Sequence, residues 1–393
     1  MFKNYSKSFF IFILFFILYP KIVSAISLGY SISQKDSILF DLIIKNGFIY
    51  DGSGGVPYKG DLGIINDKIE FMGDAGGLKS KKIIFADGKV VSPGFINMLS
   101  WAVDDLIIDG RSQGDIRQGV TLEVFGEGVS MGPLNSEMQK DRTANGLGIG
   151  EVDYDLNWIT LGDYLQFLEN KGVSPNVASF VGATTLRVHQ IGYEDRPPTK
   201  QELDSMKLLV RQAMEEGAMG IGSSLIYAPA FYASTDELIE ICKVASEYGG
   251  IYTSHLRSEG NRFLESVDEF LKIASEANID SEIYHLKAGG KENHYKLDLV
   301  IKKIDSARAA GLNITADMYT YTAGATGLDA SMPPWVQEGG YSEWKKRLQD
   351  PEIRKKVVKE INTPTDEWEN LYLQAGSPKN LILIGFANPD LRY

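Results

Sequence analysis

Cysteine is almost absent from this chain of 393 residues, in which Cys242 is the single example. One thiol excludes a framework of disulfides and any zinc or iron–sulfur site built on several thiolates. Histidine is also scarce, with four residues, so a metal site has few imidazoles to draw on. Basic residues are outnumbered, with 40 Lys and Arg against 52 Asp and Glu, and the net charge of −12 argues against a nucleic-acid partner.

Long apolar runs are also lacking, apart from one near the N-terminus. Lys3 and Lys7 precede the apolar run Phe9–Tyr19, and Val23-Ser-Ala25 supplies the small residues typical of a cleavage site. The run is too short to cross a bilayer of roughly 30 Å as a helix. We therefore expect residues 1–25 to be a signal peptide that directs the protein to the periplasm or out of the cell, with no membrane association after cleavage. An uncleaved N-terminal anchor is the alternative.

The chain as a whole has the composition of a folded protein, with 44% hydrophobic and 23% charged residues. Three segments within residues 26–92 alternate apolar and polar residues and are separated by Asp-Gly or Gly-Gly pairs, as in strands joined by turns. These segments are Asp41–Ile49, Lys59–Phe71 and Ile83–Val91. They predict a small N-terminal antiparallel β module.

Beyond residue 92 strand-like runs alternate with amphipathic helical patterns. Thr199 followed by Glu202, and Ser234 followed by Glu237, indicate two helix starts. Seven strand candidates lie near residues 95, 121, 178, 220, 252, 283 and 315. Such alternation predicts an α/β fold with parallel strands, and seven units predict a (β/α)8 TIM-like barrel over residues 93–393 with its last unit missing. A doubly wound sheet is the competing architecture.

Three potential metal ligands fall at the ends of predicted strands, where such a barrel places its active site. Glu127 follows the second strand candidate, and His255 and His285 follow the fifth and sixth. One carboxylate and two imidazoles match catalytic zinc, which keeps a fourth position for water and lowers the pKa of that water to about 7. The alternatives are core histidines and a turn carboxylate between Gly126 and Gly128.

The remaining residues around these positions are less informative. Arg257 and Lys287 each follow one of the two histidines by two positions. Because side chains alternate along a strand, Lys287 is expected on the same face as His285. His189 and His294 do not fall at strand ends, and we predict that both are loop residues.

Several longer motifs occur in order between about residues 40 and 390. They include Ser92-Pro-Gly-Phe-Ile96, Arg117-Gln-Gly-Val-Thr121, Ser254-His-Leu-Arg-Ser-Glu259, His285-Leu-Lys287 and Asp317-Met-Tyr-Thr-Tyr-Thr-Ala-Gly324. Together they resemble the N-acyl-D-amino-acid deacylase (D-aminoacylase) family of the metal-dependent amidohydrolase superfamily. The resemblance implies a zinc-dependent hydrolase of linear amide C–N bonds, which converts small N-acyl-D-amino acids to a carboxylate and a D-amino acid.

The resemblance also implies the metal ligands. One zinc per chain would be held by Glu127, His255 and His285, with Glu127 in the place of a thiolate in the relatives. That exchange changes the softness of the ligand but not its charge. The superfamily's first-strand His-x-His is replaced by Asn97-Met-Leu-Ser-Trp101, which favours a site for a single metal ion.

Further roles follow from the same resemblance. Tyr227 matches a catalytic residue that polarises the scissile carbonyl, and Lys287 and Tyr319 match residues that hold the substrate carboxylate. We assign Arg257 to substrate binding as well. Ala325 replaces a serine that assists in the relatives, which indicates weaker or different recognition of the carboxylate.

The family's general base is an aspartate in a Ser-Asp pair at the end of the eighth strand, and no such pair precedes Tyr393. Asp390 is not a substitute, since relatives carry a similar Asn-Pro segment upstream of that aspartate. We therefore expect a chain truncated at its C-terminus, and its oligomeric state stays open. One alternative is a cyclic-amide hydrolase of the hydantoinase or dihydroorotase type, although Gly222-Ser-Ser-Leu225 lacks the lysine for a carbamylated metal bridge. The other is a truncated, inactive chain.

Overall fold

The computed structural model describes residues 38–145 and 154–385, together with residues 388 and 390. The predicted signal peptide, residues 1–25, lies outside this range. The chain divides into two compact units, the first ending at Gly94 and the second beginning at Phe95. Within the described ranges, no helix combines the length and the apolar character needed to cross a membrane.

The first unit is one sheet of five strands. The strands are β1 (Leu39–Ile49), β2 (Tyr58–Ile65), β3 (Lys68–Gly73), β4 (Lys79–Phe85) and β5 (Val90–Val91). They have the order β3-β2-β1-β4, and β5 also pairs with β1. β2 pairs antiparallel with both β1 and β3, but β4 and β5 run parallel to β1.

The prediction of three antiparallel strands is therefore wrong in the number of strands and in their direction. The run Lys59–Phe71 holds two strands, because Asn66 takes a left-handed φ of 55° and reverses the chain. The run Ile83–Val91 is broken by a turn before Lys89, whose N–H donates to the carbonyl of Ala86. The connection at residues 74–78 is a crossover and not a hairpin, so β4 is parallel to β1.

The second unit carries the parallel strands. They are β6 (Phe95–Asn97), β7 (Val120–Phe125), β8 (Asn176–Ser179), β9 (Val181–Gly182), β10 (Gly220–Ser224), β11 (Ile251–His255), β12 (Asp280–Ile283) and β13 (Ile314–Ala316). All seven predicted strand positions are confirmed, with β8 and β9 together at the third. The sheets have the orders β6-β7-β8 and β9-β10-β11-β12-β13, and each pair is parallel. Phe180 alone separates β8 from β9, and its N–H donates to the carbonyl of Phe125 at 2.9 Å.

This strand order distinguishes the two architectures that the sequence left open. Each strand lies beside the one that precedes it in the chain, whereas a doubly wound sheet reverses direction at a switch point. The described strands therefore follow the order of a barrel-type α/β fold.

Helices separate most of these strands. They are α1 (Asp105–Ile108), α2 (Gln113–Ile116), α3 (Ser136–Asn145), α4 (Leu161–Lys171), α5 (Ala183–Ile191), α6 (Lys200–Glu215), α7 (Thr235–Glu247), α8 (Phe263–Glu276), α9 (Lys296–Ala309), α10 (Tyr341–Arg347), α11 (Pro351–Ile361) and α12 (Leu371–Gln374). Short 3-10 segments cover Ala230–Tyr232, Lys291–Asn293, Leu328–Ser331, Pro334–Gln337 and Pro378–Asn380.

Local sequence signals explain where two of these helices begin. The Thr199 hydroxyl accepts from the backbone N–H of Glu202, and the Glu202 carboxylate accepts from that of Thr199, so the predicted capping box starts α6. The Ser234 hydroxyl likewise accepts from the backbone N–H of Glu237 and caps α7. The loop prediction for His189 is wrong, because it lies in α5, a short helix buried on most sides and therefore without an amphipathic pattern. His294 lies in a turn, as predicted.

The helices and the parallel strands bury one continuous apolar core. All five residues of β10 are buried, and in β11 the fully buried Tyr252 stacks on Phe270 of α8 with ring centroids 5.6 Å apart. Burial of such rings stabilises the strands and holds their ends in fixed positions. The polar residues at those ends are thus attached to a rigid frame.

Candidate metal centre

Glu127, His255 and His285 lie together at one end of the parallel strands. Each offers one ligand atom within 4.8 Å of the others, and all three are buried. His255 Nδ1 lies 3.1 Å from Glu127 Oε1, and His285 Nε2 lies 3.5 Å from the same oxygen. The structure brings the three predicted ligands into one cluster. That they bind zinc stays a prediction.

The backbone beyond the strands delivers two of these side chains. β11 ends at His255, but Glu127 and His285 each lie two residues past a strand. Gly126 turns the chain with a φ of 105°, and a Cβ there would lie 2.4 Å from the carbonyl oxygen of Phe180, so glycine is required.

His285 has an unusual backbone conformation. Its φ of 37° is in the left-handed region, which is uncommon for a residue with a side chain. The backbone N–H donates to Asp317 Oδ1 at 2.6 Å, and the N–H of Leu286 donates to the carbonyl of Asp317. Asp317 therefore holds the main chain of a proposed ligand in a conformation that would otherwise be disfavoured.

Two further residues complete the cluster and were not predicted. Trp101 Nε1 donates to Glu127 Oε2 at 2.8 Å, which leaves Oε1 facing the two histidines. Glu259 Oε1 lies 3.0 Å from His285 Nδ1, and its other oxygen lies 2.6 Å from Lys287 Nζ. The signals were present in the sequence, since Trp101 ends the segment that replaces His-x-His and Glu259 ends the motif that contains His255.

The charges in the cluster depend on each other. Burial would raise the pKa of the Glu127 carboxyl, but hydrogen bonds and charge from His255 and His285 outweigh burial and lower the pKa to about 2. Burial likewise opposes ionisation of Glu259, yet the neighbouring histidines and Lys287 lower its pKa to about 2. Burial would lower the pKa of His285, but its contacts with both carboxylates raise it to about 9. The cluster therefore favours a positive charge at its centre.

These residues fit a divalent metal ion. His255 Nε2 is buried and has no hydrogen-bond partner among the described residues, which is rare for a buried polar atom without a functional reason. Two imidazoles and one carboxylate are the ligand set of many catalytic zinc sites. Within the parts of the chain that the structure describes, no other group of three such side chains is clustered in this way.

Lys287 lies in the cluster, but not for the reason that the sequence suggested. β12 ends at Ile283, so the alternation of a strand does not extend to His285 and Lys287. The turn nevertheless brings Lys287 Nζ within 3.0 Å of His285 Nδ1. Tyr319 lies alongside, with its ring centroid 5.6 Å from Lys287 Nζ and 6.2 Å from the His285 ring.

Tyr227 also lies beside the cluster. Its ring contacts the edge of the His255 ring at a centroid distance of 5.4 Å, and its hydroxyl is 2.9 Å from Thr326 Oγ1. Burial raises the pKa of the Tyr227 phenol, so the group keeps its proton at neutral pH and can donate a hydrogen bond.

Arg257 is not brought into the cluster. Its guanidinium forms a bidentate pair with Glu269, at 2.8 and 2.9 Å, and donates to the carbonyls of Phe231 and Ala233. A guanidinium with this many protein partners joins α8 to the segment before α7. These contacts do not support the assignment of Arg257 to substrate binding, which stays a prediction.

The chain is similar to several known proteins in sequence and in structure. No family model matches the chain. A D-aminoacylase from Alcaligenes xylosoxydans xylosoxydans is 33% identical over 300 residues, which are 75% of this chain and 60% of that protein. The crystal structure of a D-aminoacylase, described as defining a novel subset of amidohydrolases, matches with a TM-score of 0.65 and 32% identity over 72% of this chain and 59% of that one.

A third similar protein was solved with ligands. An N-acyl-D-glutamate deacylase from Bordetella bronchiseptica, complexed with zinc and a phosphonate inhibitor that mimics the tetrahedral intermediate, has a TM-score of 0.65 and 28% identity. The match covers 72% of this chain and 59% of that structure. The chain thus spans about three fifths of the length of each of these relatives.

Proposed function

Because this chain is related in sequence and in structure to the N-acyl-D-amino-acid deacylases of the amidohydrolase superfamily, we propose that the protein is a zinc-dependent hydrolase of linear amide bonds. Its substrates would be small N-acyl-D-amino acids, and its products a carboxylate and a D-amino acid. The observation that carries this proposal is the buried cluster of Glu127, His255 and His285. The similarity is to deacylases of linear amides, which favours this function over hydrolysis of cyclic amides.

One zinc ion per chain would be held by Glu127, His255 and His285. Bound zinc supplies a Lewis acid and makes water available as a nucleophile near neutral pH. The indole N–H of Trp101 donates to Glu127 Oε2, which leaves Oε1 directed toward both histidines. The zinc complex of the N-acyl-D-glutamate deacylase supports the choice of metal.

The substrate side of the site would be formed by Lys287, Tyr319 and Tyr227. The ammonium of Lys287 has three donors, which contact Glu259, His285 Nδ1 and the His285 carbonyl. A substrate carboxylate would take the place of the longest of these contacts, which is the one to the carbonyl at 3.3 Å. The Tyr319 ring limits the space around that ammonium. The Tyr227 hydroxyl, protonated at neutral pH, would donate to the scissile carbonyl after leaving Thr326.

The barrel fold around the site and the export of the protein are also proposals. The sequential order of parallel strands supports a (β/α)8 TIM-like barrel, in which strand ends carry the active site. The basic and apolar pattern of residues 1–25 supports export to the periplasm or beyond.

Zinc content and substrate chirality test this function together. Purified protein should contain at most one equivalent of zinc, and chelation should abolish release of amino acid from N-acetyl-D-amino acids, with the L-isomers as poor substrates. His285→Ala should lose the metal, whereas His189→Ala, a histidine of α5 outside the cluster, should retain it. Full zinc content in the His285 variant would show that the ligands are assigned wrongly.

A further inference from the structure

Glu259 occupies a position between the two halves of the site. It is buried, with 8% of its surface exposed, and its backbone carbonyl accepts from the N–H of Gly289 at 2.7 Å. Oε1 lies 3.0 Å from the ring nitrogen Nδ1 of His285, a proposed metal ligand. Both carboxylate oxygens lie within 2.7 Å of the ammonium of Lys287, a proposed substrate ligand. No other described carboxylate forms an ion pair with both of these side chains.

The contact with His285 decides which ring nitrogen is free. When Nδ1 carries the proton, Glu259 Oε1, 3.0 Å away, is the carboxylate oxygen that can accept it, and Nε2, 3.5 Å from Glu127 Oε1, keeps its lone pair for a metal ion. Histidine ligands of metals commonly donate their second N–H to a carboxylate in this manner, which fixes the tautomer and the ring orientation.

The ammonium of Lys287 competes with Glu259 for the same ring nitrogen of His285. Its Nζ lies 3.0 Å from the same His285 Nδ1. Without a carboxylate to receive both protons, the ammonium would donate to Nδ1, and the neutral ring would carry its proton on Nε2, which would then be unable to bind a metal ion. Glu259 prevents this outcome because it accepts from the ring and from the ammonium at once.

We propose that Glu259 is a positioning residue that couples the two sides of the site: it directs Nε2 of His285 toward the metal ion and directs Lys287 toward the substrate. This inference rests on the proposed function for its substrate side, whereas its metal side is independent of the reaction. The acidic side chain is therefore required even though it is not one of the three ligands.

Zinc affinity and the ring tautomer test the proposal on the full chain. Zinc affinity is measured at pH 9 by competition with a chelator. The ring nitrogens of His285 are observed in ¹H–¹⁵N correlation spectra at a pH well above 9, where the ring is neutral in the metal-free protein. Glu259→Ala should weaken zinc binding by about 10- to 100-fold and move the ring proton to Nε2 in the metal-free protein. Adding Lys287→Met should restore part of the affinity, because no ammonium then donates to Nδ1.

Two matched variants separate positioning from a general structural effect. Glu369→Gln alters a nearby buried carboxylate that contacts Ser258 and Gln374 but neither imidazole, and it should leave zinc affinity within about twofold of wild type. Glu259→Gln keeps an acceptor for Nδ1–H, so it should weaken zinc binding by less than about tenfold while raising KM, because Lys287 loses its charged partner. This variant keeps the test available if the alanine variant does not fold.

The outcomes are distinct. Wild-type zinc affinity in Glu259→Ala, or a loss that leaves the tautomer unchanged and is not relieved by Lys287→Met, would overturn the inference. An absence of zinc binding by wild-type protein would overturn both this inference and the proposed function. Zinc binding that responds as described, without turnover of N-acyl-D-amino acids, would refute the proposed function and leave the metal-side role of Glu259 supported.

Discussion

Zinc binding should depend on pH because the proposed ligand His285 holds a proton at neutral pH in the metal-free protein. Glu127 and Glu259 raise the pKa of this imidazole to about 9, against the burial that would lower it. A metal ion binds only the neutral ring, so binding must release this proton. Affinity should consequently rise with pH until the imidazole is neutral without the metal.

The expected size of this effect follows from the pKa. Between pH 7 and pH 8 the dissociation constant should fall about tenfold, since one proton is released for each zinc ion bound, and the dependence should become flatter as the pH approaches the pKa of about 9. At pH 7, about two units below the pKa, affinity should be about 100-fold weaker than its limiting value, equivalent to about 2.7 kcal/mol. A histidine with an unshifted pKa would already approach the limit at pH 7.

Chelator competition at intervals from pH 7 to pH 9, with pH-corrected chelator constants, measures this dependence. Calorimetry in buffers of different ionisation enthalpy counts the protons that are released. His189→Ala should show the same dependence as wild type, because this residue lies outside the cluster. A flat affinity above pH 7, or binding without proton release at pH 7, would refute the reasoning.

Three further changes test other parts of the structure. Lys287→Ala should raise KM for N-acyl-D-amino acids and spare amides without a carboxylate; equal effects on both would contradict its proposed role. Arg187→Met should lower the free energy of unfolding, measured by urea titration, by about 3–5 kcal/mol, because the buried carboxylate of Glu237, 2.7 Å from Arg187, loses its partner. Adding Glu237→Gln should recover part of this loss, and no recovery would contradict a stabilising role of the ion pair. Thr199→Ala should lower the free energy of unfolding by about 1 kcal/mol, because the cap of α6 is lost. Lys200→Ala, at an exposed position, should change it by under about 0.5 kcal/mol, and equal losses in the two variants would exclude capping as the cause.

Several features of this protein could be read from the sequence because they depend on neighbouring residues. The start of α6 at Thr199 follows from a capping box completed within four residues. The strand positions follow from short apolar runs between helical patterns. Glu127, His255 and His285 could be proposed as ligands because each follows such a run, and strand ends of parallel sheets meet at one edge.

Other features needed the tertiary structure because they join residues distant in sequence. Trp101 reaches Glu127 and Glu259 reaches His285 only after β6, β7, β11 and β12 have paired. Arg257 has the same spacing after His255 as Lys287 has after His285, yet packing against α8 gives it Glu269 as a partner instead.

The sequence by itself determined the positions of the parallel strands, the starts of α6 and α7 and the choice of the three proposed ligands, since these depend on local periodicity and local hydrogen bonds. Only the tertiary structure decided the direction of β4, the helical state around His189 and the shared role of Glu259. It also decided the conformation of His285, because a left-handed φ of 37° is tolerated there only while Asp317, 32 residues later, accepts its backbone N–H. Side-chain alternation holds as far as a strand extends, and beyond Ile283 the contacts of distant residues set where each side chain lies.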